Sequence, residues 1–156
     1  LMSKSGVDGL IVVDLPPEED EEFYIDAEKN KLSIIRLVTP TTNEKRLNKI
    51  LFNATGFVYY VSITGITGTQ APNIENVSIN VKKINSVTDL PVVIGFGIRS
   101  PSQALSMANI SDGIVVGSAV VDLIKSSLDK DNNPTKNTLN SCLDFISKVS
   151  KSVKHN

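Results

Sequence analysis

The chain has 156 residues, of which 40% are hydrophobic and 21% charged, the balance of an ordinary soluble globular domain. Its 16 basic and 17 acidic side chains leave a net charge of −1, which argues against a nucleic-acid-binding protein. The single cysteine, Cys142, excludes an internal disulfide, and the single histidine, His155, removes the usual catalytic triads and most zinc sites.

The sequence carries no sign of membrane insertion or secretion. No apolar run reaches the roughly 18 residues of a membrane-spanning helix, and no signal peptide is recognisable. With one cysteine, a reducing cytoplasm is the expected setting, and we expect no metal site. The chain starts with Leu1 and runs directly into a predicted strand, which leads us to expect a fragment or a processed chain.

Short apolar runs alternate with helical patterns along the chain. This alternation predicts a parallel sheet with helices on its faces. A continuous apolar run such as residues 10–13 is typical of a strand that is buried on both faces. The other predicted strands are 33–38, 57–61, 91–94 and 113–116, and the predicted helices are about 16–29, 43–53, 74–87, a short one from 101, 117–127 and 138–153.

Local signals mark how these elements start and how they are joined. Asn43 and Ser100 are predicted helix N-caps, because their side chains can accept the unpaired N–H groups of a first turn. The acidic run from Glu18 to Glu22 is interpreted as a solvated helix start. Residues 129–137 are polar and turn-rich, so we predict one domain, 1–156, with a linker before the terminal helix.

Three glycine-rich loops follow the last three predicted strands. They are residues 64–68, 95–98 and 117–119. Glycine lets the backbone approach a ligand closely, and a helix that begins at Gly117 can direct its N–H groups at an anion. In (β/α)8 barrels the loops after the last two strands and a short extra helix commonly build a phosphate site, and residues 117–127 suit that helix. No Walker-type lysine motif is present, so a nucleoside triphosphate is not indicated.

Three further side chains each allow a functional and a purely structural interpretation. Asp14 ends the first predicted strand, where a carboxylate can be a general acid or base or can fix a loop. Tyr59 can point into a barrel near a substrate or can simply pack. Arg99 can add positive charge near a phosphate, or it can lie on the surface and pair with an acid.

Four segments, in order and at matching spacing, resemble the tryptophan synthase α subunit family. Residues 6–16 (GVDGLIVVDLP) are similar to the family's fourth barrel strand. Residues 57–68, with Tyr-Val-Ser followed by Gly-Ile-Thr-Gly, are similar to the sixth strand and its loop. Residues 91–98 and 112–119 are similar to the seventh and eighth strands. The resemblance implies an α/β fold of the (β/α)8 TIM barrel family, with strands four to eight in this chain.

The resemblance also implies a reaction and a site. In the family, indole-3-glycerol phosphate undergoes retro-aldol cleavage to indole and glyceraldehyde 3-phosphate. By resemblance, four residues hold the substrate phosphate: Gly68, Gly97, Gly117 and Ser118. Tyr59 and Phe96 would line the pocket, and Thr67 would belong to the loop that closes over the substrate.

Partner and cofactor expectations come from the same resemblance. Asp14 and Pro16 would lie in the region near the β subunit, as part of an α2β2 complex. No cofactor is expected in this subunit, since pyridoxal phosphate is expected only in the β partner. No nucleic-acid or membrane partner is expected.

The chain departs from the family pattern in two ways. The family's catalytic Glu and Asp belong to early strands and loops that have no counterpart here, so no catalytic residue is identified and the chain alone is expected to be inactive. The segment 69–76 also lacks the arginine often found after the loop motif. Two alternatives stay open: a non-catalytic phosphate-binding or partner-binding module, or another phosphate-binding barrel such as indole-glycerol-phosphate synthase or phosphoribosylanthranilate isomerase.

Overall fold

The apolar runs of the sequence form five parallel strands that pair strictly in chain order. In this computed structural model, which describes residues 1–62, 73–95 and 97–153, the sheet order is β1-β2-β3-β4-β5. The register pairs Leu10 with Ile34, Tyr59 with Val93 and Ile94 with Ile114. The strands are β1 (Gly9–Ile11), β2 (Ser33–Val38), β3 (Val58–Val61), β4 (Val92–Gly95) and β5 (Gly113–Ile114).

Helices connect the strands, as parallel pairing requires. Short 3-10 helices at Ser3–Ser5 and Pro17–Glu19 precede β1 and α1. The α-helices are α1 (Glu21–Lys29), α2 (Glu44–Leu51), α3 (Ile74–Asn85), α4 (Pro101–Ala108), α5 (Ser118–Ser127) and α6 (Lys136–Val153). Among the described residues, no helix is long and apolar enough to cross a membrane.

Polar caps fix where three of these helices begin. The side chain of Asn43 accepts a hydrogen bond from the Arg46 N–H (2.9 Å), and Ser100 Oγ accepts one from the Gln103 N–H (3.3 Å). Both predicted caps are therefore confirmed. Asn73 caps α3 in the same way, through the Asn76 N–H at 3.0 Å.

The sheet separates a helix-packed core from an opposite face. Along β3, Val58 and Tyr60 are buried while Tyr59 and Val61 are partly exposed, because successive side chains point to opposite faces. Val58 and Tyr60 therefore belong to the core. The buried core cluster is Val38, Leu47, Leu51, Val58, Tyr60, Val77, Val81, Ile84, Val92, Ile94, Ile98, Ala104, Met107 and Val149.

The first strand differs from its prediction. Residues 10–13 were expected to be buried on both faces, yet β1 is Gly9–Ile11, and Ile11 and Val13 are 47% and 71% exposed. Within the described part of the chain β1 pairs with β2 alone, so one of its edges has no described neighbour. An unpaired edge leaves apolar side chains uncovered there.

The segment before the terminal helix is locally organised by one carboxylate. Asp129 Oδ1 accepts hydrogen bonds from the N–H groups of Asp131 and Asn133, both at 2.9 Å. The helix that follows begins at Lys136, two residues before its predicted start, and packs on α4 and α5. Ser152 Oγ donates to the Pro101 carbonyl at 3.1 Å, which ties α6 to the start of α4.

Candidate functional site: a pocket at the carboxyl ends of the strands

A pocket of about 120 Å³ lies where β3, β4 and β5 end and the following loops and α5 begin. This is the side of a parallel sheet on which ligands commonly bind. The wall combines apolar side chains with exposed backbone, a hydroxyl and one arginine. Its described lining residues are Tyr59, Gly97, Ile98, Arg99, Val115, Gly117 and Ser118.

The N-terminus of α5 forms one wall of the pocket. The Val115 N–H donates to the Ile94 carbonyl at 2.8 Å, which anchors the chain just before the helix. Gly117 then precedes Ser118, and no side chain among the described residues caps the first turn. A Cβ built on Gly117 would meet nothing within 4 Å. The first N–H groups of α5 therefore border open space, the arrangement in which helix N-termini bind anions.

The loop after β4 forms another part of the pocket wall. Gly97 has a φ of 78°, a left-handed conformation that an L-residue adopts only at a cost. Ile98 is buried in the core, and the Arg99 N–H donates to Gln103 Oε1 at 2.8 Å. The loop is thus fixed to the core on one side and to α4 on the other, with Gly97 facing the pocket between them.

Tyr59 supplies the aromatic part of the lining from β3. It stands on the face opposite the helix-packed core, and it is partly exposed. Burial raises the pKa of the Tyr59 phenol above its ordinary value. The side chain is therefore a neutral hydroxyl at physiological pH and adds no charge to the pocket.

Four of the residues predicted from the sequence meet in this pocket: Gly97, Gly117, Ser118 and Tyr59. The other three predicted residues of the site, Thr67, Gly68 and Phe96, lie outside the described residues. Arg99 also lines the pocket, and it pairs with Asp122 of α5. The interpretation of Arg99 as a residue that pairs with an acid is therefore confirmed, and its role near a phosphate stays a prediction.

Asp14 and Pro16 lie elsewhere, in the segment that follows β1. Both are exposed, and they line a separate cleft with Arg36 and Arg46. Neither residue is among the described lining residues of the pocket that contains Gly97, Gly117 and Ser118, which we call the glycine-rich pocket. Asp14 therefore lines a different cleft from the glycine-rich pocket.

A buried ion pair beside that cleft was missed from the sequence. Asp20 and Arg36 form a salt bridge with side chains only 1% and 5% exposed. The interpretation of residues 18–22 as a solvated run is therefore wrong for Asp20, because Arg36 of β2 draws it inward. The signal was present as a single arginine within the otherwise apolar segment 34–38.

Within the described ranges, no group of three or more His, Cys, Asp or Glu side chains is arranged to hold a metal ion. The donors of the glycine-rich pocket are N–H groups, hydroxyls and a guanidinium, all of which suit an anion. The pocket is therefore built for a small anionic group beside an apolar and aromatic wall.

The chain matches one protein family and several solved structures. The family model for the tryptophan synthase alpha chain matches residues 1–151. The tryptophan synthase structure of Mycobacterium tuberculosis is similar, with 29% identity and a TM-score of 0.85, over 99% of this chain and 55% of that one. The alpha subunit of Legionella pneumophila str. Paris has 29% identity and a TM-score of 0.82, over 98% and 54%.

A protein of Aquifex aeolicus VF5 is also similar, with 32% identity, a TM-score of 0.78, and coverage of 97% of this chain and 53% of that one. The chain thus spans about half the length of the solved structures it matches, and its sheet corresponds to part of their TIM barrel. On the match of the family model over nearly all its residues, this chain belongs to the tryptophan synthase alpha chain family.

Proposed function

We propose that this chain supplies the phosphate-binding part of a lyase that cleaves indole-3-glycerol phosphate to indole and glyceraldehyde 3-phosphate. The observation that carries the proposal is the convergence of Gly97, Gly117 and Ser118 on one pocket, from two different loops. These are the three described residues of the four that the family resemblance assigns to the phosphate; the fourth is Gly68.

The chemistry of the pocket supports a phosphate as the anion. The first N–H groups of α5 and the helix dipole favour negative charge at Gly117. Ser118 adds a hydroxyl that can donate to a phosphate oxygen. Gly97 and Gly117 carry no side chain, so the backbone can approach the oxygens closely.

The apolar wall suits the rest of the substrate. Tyr59, Ile98 and Val115 line the pocket beside the anion-binding end. An indole and its glyceryl chain would lie along such a wall, with Thr67 and Phe96 as further contacts implied by the family. We therefore propose that the phosphate anchors the substrate and that the wall orients it.

The chemical step requires an acid–base pair that we do not assign to residues 1–156. Asp14 is the strand-end carboxylate of the described chain, and it lines a different cleft. We therefore propose that this chain alone binds the substrate without releasing indole. Indole release by the purified chain would contradict this.

The surface around Asp14 and Pro16 is the proposed contact with a β subunit. Both residues are exposed in the segment after β1, where a partner could reach them. On this proposal the pyridoxal phosphate of the complex belongs to the β subunit, and this chain needs no cofactor. The lone cysteine agrees with a cytoplasmic setting.

The experiment that tests the proposed function is a calorimetric titration with indole-3-glycerol phosphate and, separately, with its dephosphorylated form. We expect saturable binding of the phosphorylated compound and at least about tenfold weaker binding of the other, because charge-assisted hydrogen bonds are lost. Ser118→Ala should weaken binding of the phosphorylated compound alone. Equal affinity for both compounds would refute a phosphate-directed pocket.

A further inference from the structure

We propose that Arg99 is an additional ligand-binding residue for the anion in the glycine-rich pocket, and that its ion pair with Asp122 offsets the negative charge of that carboxylate. The proposal rests on the function proposed above and goes beyond it, because the family resemblance assigns the phosphate to glycines and a serine only. The ion pair joins Arg99, in the loop after β4, to Asp122 in α5.

The pocket has a positively charged residue in its lining, Arg99. Among the described residues that line it, Arg99 is the only one with a formal charge. Its neighbours supply dipoles and a hydroxyl. A guanidinium adds a full positive charge and a planar fork of N–H donors that matches phosphate oxygens.

The ion-pair partner of Arg99, Asp122, lies close to the pocket along α5. Asp122 follows Ser118 by four residues in α5, and residues four apart lie on the same face of a helix. Ser118 lines the pocket, so the carboxylate of Asp122 lies about one helical turn below it. Because Arg99 Nη2 donates to Asp122 Oδ2, the guanidinium is held along the face that carries Ser118.

The two charges of the pair act on an anion in opposite ways. Asp122 is the fifth residue of α5, about one turn from the helix N-terminus, so its negative charge would repel a phosphate bound there. Pairing with Arg99 offsets that charge, and Arg99 itself lines the pocket. An anion that enters the pocket therefore lies near a positively charged side chain and near a carboxylate whose charge is offset.

The Arg99–Asp122 pair contributes little to the stability of the fold. The side chains of Arg99 and Asp122 are 43% and 54% exposed, and ion pairs this exposed contribute little to folding. Variants of either residue are therefore expected to fold normally. A change in the phosphate affinity of these variants would therefore not reflect loss of the fold.

The test is the affinity of the purified protein for inorganic phosphate, measured by calorimetry for five variants in one buffer of fixed ionic strength. The variants are Arg99→Ala, Arg99→Lys, Asp122→Asn, Ser118→Ala and Arg46→Ala. Arg46 is the matched control, because it is an arginine of similar exposure that pairs with Glu18 and lines a different cleft.

We expect Arg99→Ala to weaken phosphate binding about tenfold, the loss of a charge-assisted hydrogen bond, and Arg99→Lys to recover part of it. Asp122→Asn should leave binding equal or tighter, because it removes a repulsive charge and leaves the guanidinium in place. Arg46→Ala should leave the affinity unchanged.

Three outcomes would overturn the proposal. One is unchanged affinity in Arg99→Ala. Another is an equal loss in Asp122→Asn and Arg99→Ala, which would mean that the ion pair only supports the loop. The third is an equal loss in Arg46→Ala, which would reflect overall charge.

The same measurements separate this proposal from the proposed function. If Ser118→Ala weakens phosphate binding while Arg99→Ala does not, the phosphate pocket stands and the role of Arg99 falls. If the unmodified protein does not bind phosphate, both are contradicted.

Discussion

The ring of Tyr59 on β3 lies directly over the Cα of Gly95 on β4. A Cβ built on Gly95 would overlap the phenol ring of Tyr59. Tyr59 and Val61 lie on the same face of β3, the face opposite the helix-packed core. Gly95 is the register partner of Val61, so Gly95 lies on that face too. The absence of a side chain at Gly95 is therefore what lets Tyr59 reach the pocket.

We predict that Gly95→Ala displaces the Tyr59 ring. The new methyl group has no room on that face, and such overpacking typically costs about 1–3 kcal/mol. The free energy of unfolding, measured by urea denaturation, should fall by that amount. Because Tyr59 lines the pocket, binding of indole-3-glycerol phosphate should weaken as well.

Gly113→Ala is the control for this change. Gly113 is also a strand glycine, but its Cβ would meet Val93 no closer than 3.3 Å, so a smaller loss is expected. Combining Gly95→Ala with Tyr59→Ala should cost less than the sum of the two single changes. Additive losses would mean that the ring does not occupy the space above Gly95.

The glycines at 97 and 117 should separate stability from binding. Gly97 has a φ of 78°, so Gly97→Ala should cost about 1–2 kcal/mol of unfolding free energy. Gly117 has a φ of −117° and open space around its Cβ, so Gly117→Ala should leave stability nearly unchanged. It should nevertheless weaken phosphate binding, because a methyl group would stand where the anion approaches the backbone. Similar urea midpoints for the two variants would argue against this account.

Removing one partner of the buried Asp20–Arg36 pair should be severe. Asp20→Ala leaves the Arg36 guanidinium buried without its counter-ion, and such losses are about 3–5 kcal/mol. Arg36 Nε is already buried without a hydrogen-bond partner among the described residues, which adds to the cost. Urea denaturation measures the effect.

Two comparisons check the origin of that loss. The double change Asp20→Leu with Arg36→Leu should lose less than Asp20→Ala, because no unpaired charge stays buried. Arg46→Ala, which breaks the more exposed pair with Glu18, should cost less than about 1 kcal/mol. A loss in Asp20→Ala as small as in Arg46→Ala would contradict a buried ion pair.

Tyr59 should make stability fall at high pH. Burial raises the pKa of its phenol, so the folded protein keeps that proton to a higher pH than the unfolded chain does. Above about pH 10 the folded state therefore binds more protons, and the free energy of unfolding falls as pH rises. Tyr59→Phe should show a shallower decline in urea denaturation between about pH 9 and about pH 11. Identical slopes would indicate an unperturbed phenol.

The sequence predicted the parallel sheet because each strand is a short apolar run that local patterns reveal. It also predicted the caps at Asn43 and Ser100, which depend only on the residues that follow them in the chain. The exposure of Ile11 and Val13 was not predictable in this way. It depends on which strands lie beside β1, and a run of apolar letters does not specify that.

In the candidate site, too, some features were predictable from the sequence and others depend on the fold. Gly97, Gly117 and Ser118 stand at strand ends, so their order along the chain indicated a common pocket. The pairing of Arg99 with Asp122 and of Arg36 with Asp20 joins residues 23 and 16 positions apart. Many charged residues lie at such separations, so only the fold selects these partners.

The most direct test of the central claim is a thermal melt of the purified protein with and without indole-3-glycerol phosphate. A ligand that binds only the folded state raises the melting temperature by mass action. We expect a saturable upward shift that is diminished in Ser118→Ala and in Arg99→Ala but kept in Arg46→Ala. A cooperative melt that the compound leaves unmoved would contradict a substrate-phosphate pocket at Gly97, Gly117 and Ser118.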